Sequence, residues 1–245
     1  MSNQTYRQLF LILLGTGVFA TICVVPYAAK LMNVPLTMQL IMRSLVSGAM
    51  VLAIVVSLGL YFSTKVSLGA PLLEAALTGK RLSHNLKPIL LVSIPSGLVI
   101  AVVIVALQVA LSGGMVGANA GPPAWQGFLA CFYGGVVEEL ECRLLVMSLV
   151  AWICASIRRE KGSPSKSTFW AANVIAAIGF GAAHLPAASH MMALTPANLL
   201  AVMIPNTMCG LVFGYLFFTL GLEAAMIAHF SADVVLHVLP PLLFH

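Results

Sequence analysis

The sequence predicts an all-α membrane protein: a polytopic helical bundle with about seven transmembrane helices and a cytoplasmic N-terminus. Hydrophobic residues make up 60% of the 245 residues and charged residues only 8%, whereas soluble domains carry about 25% charged residues. Long apolar runs recur along the chain, and none shows the alternating pattern of a membrane β-barrel. This composition excludes a water-soluble enzyme and a disordered protein.

Seven apolar runs are long enough to cross a bilayer, which takes about 20 residues. The first is longer than a signal-peptide core, so we expect it to be a retained span. Little chain remains outside the spans, and a single integral membrane domain over 1–245 is therefore expected. The predicted spans are Leu9–Ala28, Ser44–Phe62, Pro88–Leu111, Trp125–Ser156, Phe169–Leu185, Ala197–Leu220 and Leu222–Leu239.

The basic residues alternate between loops, which predicts the orientation. Cytoplasmic loops of membrane proteins are enriched in Lys and Arg, so the N-terminus and the two basic loops should be cytoplasmic and the C-terminus outside. The net charge of +5 is then explained by topology and anionic lipid, and no nucleic-acid partner is expected. On the cytoplasmic side we place Arg7, Lys65, Lys80, Arg81, Lys87, Arg158, Arg159, Lys161 and Lys166; Lys30 and Arg43 lie between spans one and two, and the loop at 112–124 is uncharged.

The segment between spans two and three carries apolar residues at helical spacing. This pattern fits an interfacial helix as well as it fits a solvated connector. The residues concerned are Leu68, Leu72, Leu73, Ala76 and Leu77.

Ionisable residues inside the spans are the strongest functional signal. A charged group at mid-membrane costs a few kcal/mol, so it is kept where it pairs, lines a wet cavity or takes part in chemistry. The five cysteines, by contrast, lie in apolar stretches and are expected to be small buried hydrophobes. The ionisable residues within the predicted spans are Glu138, Glu139, Glu141, Arg143, His184, His229, Asp233 and His237.

The fourth span reads GGVVEELECRLLV. Glu139 precedes Arg143 by four residues, the favourable order for an ion pair on one helix face. Glu138 points about 100° away from Glu139 and is expected to share a face with Glu141. A carboxylate in such a site suits a general base. The alternative is an ion-paired cluster that only holds the bundle together.

Histidines occupy the fifth and seventh spans. His184 ends a helix rich in Gly and Ala, whose small residues allow close helix contact. His229, Asp233 and His237 follow at spacings of four and share one face. His229 and Asp233 suit either a carboxylate-oriented histidine or two metal ligands. His237 is interpreted as a bystander, and Glu223 as a complement to its own helix N-terminus.

Three short motifs then follow in order: Glu138-Glu139-x-x-x-Arg143, Phe180-x-x-x-His184 and His229-x-x-x-Asp233. Together they resemble the CPBP family of intramembrane proteases, the CAAX-protease and bacteriocin-processing group also called Abi. The motif-bearing core spans about 125–239, and the first three spans carry no motif. The resemblance implies a helical bundle with a cavity that opens to membrane and cytosol.

The resemblance also implies roles for these residues. Glu138 would be the base and His184 its partner in activating water, with Glu139 and Arg143 as a supporting ion pair. His229 and Asp233 would stand on the oxyanion side. Asp233 departs from the Asn of the prenyl endopeptidases: an ionised Asp cannot donate a hydrogen bond, so it would be protonated or would orient His229. Glu141 is a second departure.

The function expected is an intramembrane endopeptidase that cleaves a membrane-bound, lipidated or precursor peptide in a bacterial or archaeal cytoplasmic membrane. No cofactor is favoured. A zinc-dependent version remains open, with the ligands Glu138, His184, His229 and Asp233. Two other classes remain as alternatives: a non-catalytic membrane immunity or regulatory protein, and a proton-coupled carrier, although no repeat of the kind carriers show is visible.

Overall fold

The computed structural model describes residues 2–80, 83–111 and 121–243, and within these ranges the chain is helical, with no β-strand. Arg81, His245 and most of the uncharged loop at 112–124 lie outside the described residues. The helices are α1 (Asn3–Leu31), α2 (Met38–Lys65), α3 (Pro71–Leu77), α4 (Ser83–Leu111), α5 (Ala124–Ile157), α6 (Lys166–Ala183), α7 (Leu185–Ser189), α8 (Pro196–Leu220) and α9 (Leu222–Leu243).

Seven stretches in the described part of the chain are long and apolar enough to span a membrane, which confirms the predicted number. They are α1, α2, most of α4, α5, α6 together with α7, α8 and α9. Most are several residues longer than the predicted spans. Four begin at a Ser or Thr whose side-chain oxygen accepts a backbone N–H of the first turn, which satisfies a donor that helix geometry leaves free. These caps are Ser2, Thr37, Ser165 and Thr195.

Helix α5 lies at the centre of the bundle. It contacts α1, α2, α6 and α9, while α9 also packs against α4 and α8. The core between these helices is apolar, and large hydrophobic side chains such as Leu11, Ile54 and Val102 are exposed on the outside. In a bilayer these outward side chains face lipid, which is why the exposed surface of the spans needs so little polar character. Core members include Leu9, Leu52, Leu140, Leu144, Phe213 and Phe217.

Helices α5 and α9 depart from α-helical geometry where the motif residues lie. Tyr133–Glu138 and Leu140–Met147 of α5 form π-helical turns, and Val234–Val238 of α9 forms a third. A π turn closes its hydrogen bond from i to i+5 and frequently marks a functional site. The wider turn changes which side chains share a face, although the residues four apart, Glu139 with Arg143 and Asp233 with His237, remain close in these segments.

The connection between α8 and α9 is a single residue, Gly221, at a φ of +104°, a conformation that favours glycine. The N–H of Leu222 donates to Gly69 O at 2.9 Å. Glu223 accepts the backbone N–H of Leu73, at the start of α3, at 2.8 Å. Glu223 therefore anchors α3 as well as lying in the first turn of its own helix, a role the sequence did not predict.

The segment between α2 and α4 does contain a helix, α3. Its leucines are partly buried against the protein core. The helical alternative is therefore the correct one, and the apolar side faces the bundle because Gly69 and Glu223 hold the segment against α9.

Candidate active site

A cavity of about 710 Å³ lies among α1, α4, α5, α6, α8 and α9. The acidic residues and histidines in its lining are Glu138, His184, His229, Asp233 and His237. Four of the six site residues predicted from the sequence thus line one cavity, although they come from three helices. The other two, Glu139 and Arg143, lie behind its wall.

Glu139 and Arg143 form a buried ion pair. Neither side chain is more than 2% exposed, and an Nη of Arg143 lies 3.1 Å from Glu139 Oε1. The other Nη donates to the carbonyl of Gly210 on α8 at 3.1 Å. The guanidinium also lies over the rings of Phe180 and Phe213, at 4.7 and 5.5 Å. The predicted pair is present, and it ties α5 to α6 and α8.

The ring of His229 joins this buried pair to the cavity. Its Nδ1 lies 2.7 Å from Glu139 Oε1, so Nδ1–H donates to that carboxylate. Its Nε2 then faces the cavity, 3.6 Å from both Glu138 Oε2 and Asp233 Oδ1. Phe213 stacks on the ring at 4.5 Å between centroids. Glu139 therefore fixes the tautomer and the direction of His229, in the manner of a carboxylate that orients a catalytic histidine.

His184 stands at the junction of α6 and α7 rather than inside a continuous helix. Pro186 follows two residues later, within the first turn of α7, where its missing N–H is tolerated. His184 Nδ1 lies 2.8 Å from the carbonyl of Phe180, so Nδ1–H donates to that oxygen. Nε2 remains as the ring nitrogen available for chemistry in the cavity.

Glu138 lines the cavity, whereas Glu141, which was expected to share a helix face with it, does not. The Glu138 side chain is 23% exposed and lines the cavity, whereas Glu141 is absent from the lining. Glu141 has no hydrogen bond or ion pair within the described residues.

Asp233 packs against the backbone of α5 at Gly134. A Cβ built on Gly134 would collide with Asp233 Oδ2 and approach His229 Nε2 to 3.0 Å. Glycine at this position therefore lets α9 approach α5 closely enough for the two acidic motifs to meet. Asp233 Oδ1 also lies 3.9 Å from His237 Nε2.

Two cavity features were missed from the sequence. His237, interpreted as a bystander, lines the cavity, and its Nδ1 lies 3.1 Å from the hydroxyl of Tyr27 on α1. Asn206 on α8 lines the cavity as well. In the sequence, Tyr27 is indistinguishable from an interfacial anchor, because it lies near the end of an apolar span. Asn206 could have been noticed as a polar residue within an apolar span.

The side chains do not form a ready metal centre. Within the described ranges, no group of three or more His, Cys, Asp or Glu residues is arranged to hold a metal ion. His229 has one ring nitrogen committed to Glu139, and its second lies 3.6 Å from each neighbouring carboxylate. The zinc ligand set considered from the sequence lines the cavity but does not converge on one point.

Comparison with known proteins gives one match. The family model described as type II CAAX prenyl endopeptidase Rce1-like matches residues 120–235. This confirms the resemblance inferred from the three motifs, all of which fall within the matched residues. No curated protein and no solved structure matches the chain.

Proposed function

We propose, from the match of residues 120–235 to the Rce1-like model of type II CAAX prenyl endopeptidases, that the chain is an intramembrane endopeptidase whose water is activated by Glu138 and His184. One observation carries the assignment of residues. Four ionisable residues from three separate motifs, Glu138, His184, His229 and Asp233, line a single cavity.

Glu138 is proposed as the base because it alone of the three clustered glutamates is both in the cavity and outside the ion pair. Its carboxylate takes a proton from water, and the water oxygen attacks the carbonyl carbon of the substrate. His184, held by Phe180 O through Nδ1, presents Nε2 as the partner that orients the same water. General base catalysis of this kind contributes about 10² to 10⁴-fold in rate.

His229 is proposed to stabilise the negative charge that develops on the carbonyl oxygen. With Nδ1–H given to Glu139, a protonated His229 would donate from Nε2 to the oxyanion. Glu139 and Asp233 offset the positive charge of that ring. Asp233 Oδ1, 3.6 Å from Nε2, is proposed to act through its negative charge and not as a hydrogen-bond acceptor, so the departure from Asn does not require Asp233 to donate.

Collapse of the tetrahedral intermediate completes the reaction. The bond between carbon and nitrogen breaks, and the proton held by Glu138 passes to the leaving amine. The products are a free carboxylate and a free amine, so neither oxidant nor cofactor is consumed. We propose that the reaction needs no metal ion, because Glu138 and His184 supply the activation of water themselves, and insensitivity to chelators in purified protein is the direct check.

The test compares peptide termini in cells that produce the wild type, Glu138→Gln or Glu141→Gln. Glu141→Gln is the matched control, because it makes the same change on the same helix outside the cavity. New termini should be present with the wild type and Glu141→Gln and absent with Glu138→Gln. Identical termini in all three, at equal protein abundance, would contradict the protease and favour a non-catalytic membrane protein.

A further inference from the structure

We infer that the cavity opens on the non-cytoplasmic side, so that the substrate is a peptide bond in an exported or translocated segment. The identity of the substrate as a peptide rests on the proposed function, whereas the side on which the cavity opens rests on the membrane topology. It follows from two observations that are independent of each other: where the basic residues lie along the spans, and which ends of the helices line the cavity.

The basic residues lie overwhelmingly at one end of the bundle. We call this the basic end and the opposite one the neutral end. Nine of the twelve Lys and Arg residues belong to the basic end, two to the neutral end, and Arg143 is buried between them. Such a bias sets the orientation of a polytopic protein, with the basic end in the cytoplasm. The nine are Arg7, Lys65, Lys80, Arg81, Lys87, Arg158, Arg159, Lys161 and Lys166.

The residues that line the cavity lie in the parts of the helices nearest the neutral end. Helices α1 and α4 run from the basic to the neutral end, and both contribute residues from their last turns, such as Leu31 and Gln108. The short helix α7 and the loop after it contribute Ala187, Met191 and Met192. None of the described basic-end residues 2–8, 65–80, 86–88, 158–166 and 220–222 lines this cavity.

The depth of the motif residues agrees with this direction. Helix α6 begins at Lys166 and has 18 residues, so it rises about 27 Å before His184, close to the ~30 Å thickness of the hydrocarbon core. Asp233 ends the 12-residue α-helical part of α9, about 16 Å from the basic end. The cavity therefore runs from mid-membrane towards the neutral side.

This conclusion differs from what the family resemblance implies, which is a cavity open to the cytosol. A cytosolic opening would require nine basic residues outside the cell and two within, the reverse of the bias that governs insertion. A lipidated protein tail in the cytoplasm could not reach the cavity in the orientation that this chain's own charges predict.

The rim favours an apolar peptide. Met191 and Met192 line the mouth and are 58% and 42% exposed. Methionine side chains are flexible and polarisable, and they accommodate varied apolar partners. A peptide presented from the outer leaflet, such as a secreted precursor or the exported end of a membrane anchor, fits this entrance.

The orientation is tested by labelling single introduced cysteines with a membrane-impermeant maleimide. His190→Cys marks the neutral end beside the rim, and Ser163→Cys marks the basic loop; both positions are exposed. Ala193→Cys is a second neutral-end variant in case the first does not accumulate. The wild type, with its five native cysteines, is the blank.

His190→Cys or Ala193→Cys should label in intact cells, and Ser163→Cys only after permeabilisation. The reverse pattern, or labelling of both ends in intact cells, would overturn the inference. If the termini experiment identifies cleaved bonds, they should lie in non-cytoplasmic segments, and cytoplasmic cleavage sites would also overturn it. The labelling result holds whether or not the protein cleaves peptides, so failure of the orientation and failure of the proposed protease are separately visible.

Discussion

Glu138 and Glu139 are neighbours with identical side chains, yet they belong to different regions of the molecule. Glu139 is fully buried, pairs with Arg143 and accepts from His229. Glu138 is partly exposed to the cavity and has only a 3.6 Å approach to His229. The first region is a closed ionic cluster behind the cavity wall, and the second is the wall itself.

The difference shows how one bundle uses acidic residues in two ways. A buried carboxylate with a cation and a donor is held in place and can orient a neighbour, but it has no route to a substrate. A carboxylate on a cavity wall has such a route. The ring of His229 connects the two regions: its Nδ1 donates to Glu139 in the closed cluster, and its Nε2 faces the cavity.

The largest loss of cleavage activity is expected from a substitution in the cavity wall. Glu138→Gln removes the proposed base while conserving shape, so cleavage should fall by about 10² to 10⁴-fold. Thermal stability should stay within about 0.5 kcal/mol of the wild type, because no strong partner is lost. Cleavage assays and melting curves of purified protein measure both. An active variant would contradict the role of Glu138.

The closed cluster should show the opposite pattern. Glu139→Gln leaves Arg143 without its charge partner, and breaking a buried pair costs about 3 to 5 kcal/mol. Folded yield and melting temperature should therefore fall. The double variant Glu139→Gln with Arg143→Met should recover part of the stability but not the activity, since the carboxylate that orients His229 is still missing. Normal stability of the single variant would count against the pair.

The contact between the two acidic helices can be broken at Gly134. In Gly134→Ala the new methyl group collides with the Asp233 carboxylate, and overpacking of this kind costs about 1 to 3 kcal/mol. Activity should drop further than stability, because His229 and Asp233 are displaced. The matched control is Gly179→Ala, whose methyl group meets nothing within 4 Å. Equal behaviour of the two variants would show that the close approach is unimportant.

A smaller effect is expected at Tyr27, which connects α1 to the cavity. Tyr27→Phe loses the hydrogen bond to His237 Nδ1, worth about 1 kcal/mol, and kcat/KM should fall by about fivefold if His237 helps to hold Asp233. Tyr61→Phe is the control, because the Tyr61 hydroxyl has no partner among the described residues. Activity equal to the control would leave Tyr27 with a packing role only.

The smallest effect lies outside the membrane, at Glu160. Its carboxylate accepts from the backbone N–H and the hydroxyl of Ser165 and from Thr168, and these bonds lower its pKa, with Arg158 adding to the effect. Because the folded pKa is lowered, this stabilisation is present at neutral pH and is lost as pH falls through the folded pKa. Glu160→Gln should reduce the melting temperature slightly at pH 7, and this difference should vanish as the pH falls through the lowered pKa of Glu160. A constant difference across that range would contradict the assignment.

Much of the fold followed from the sequence, because lipid imposes strict rules. A chain in hydrocarbon must satisfy its backbone within helices, so apolar length alone located all seven spans. The motif residues were equally visible, because ionisable side chains such as Glu139 and Asp233 are rare in spans. The pairing of Glu139 with Arg143 followed from a spacing of four.

Tertiary structure decided the rest. The π turns of α5 and α9 could not be predicted, because no periodicity in the sequence marks where an α-helix widens. The contact of Tyr27 with His237 joins residues 210 positions apart, and the hydrogen bond from Leu73 to Glu223 joins residues 150 apart. The sequence determines which side chains each helix has and how they are spaced along it. Only the packing of the helices determines which faces of helices distant in sequence come into contact.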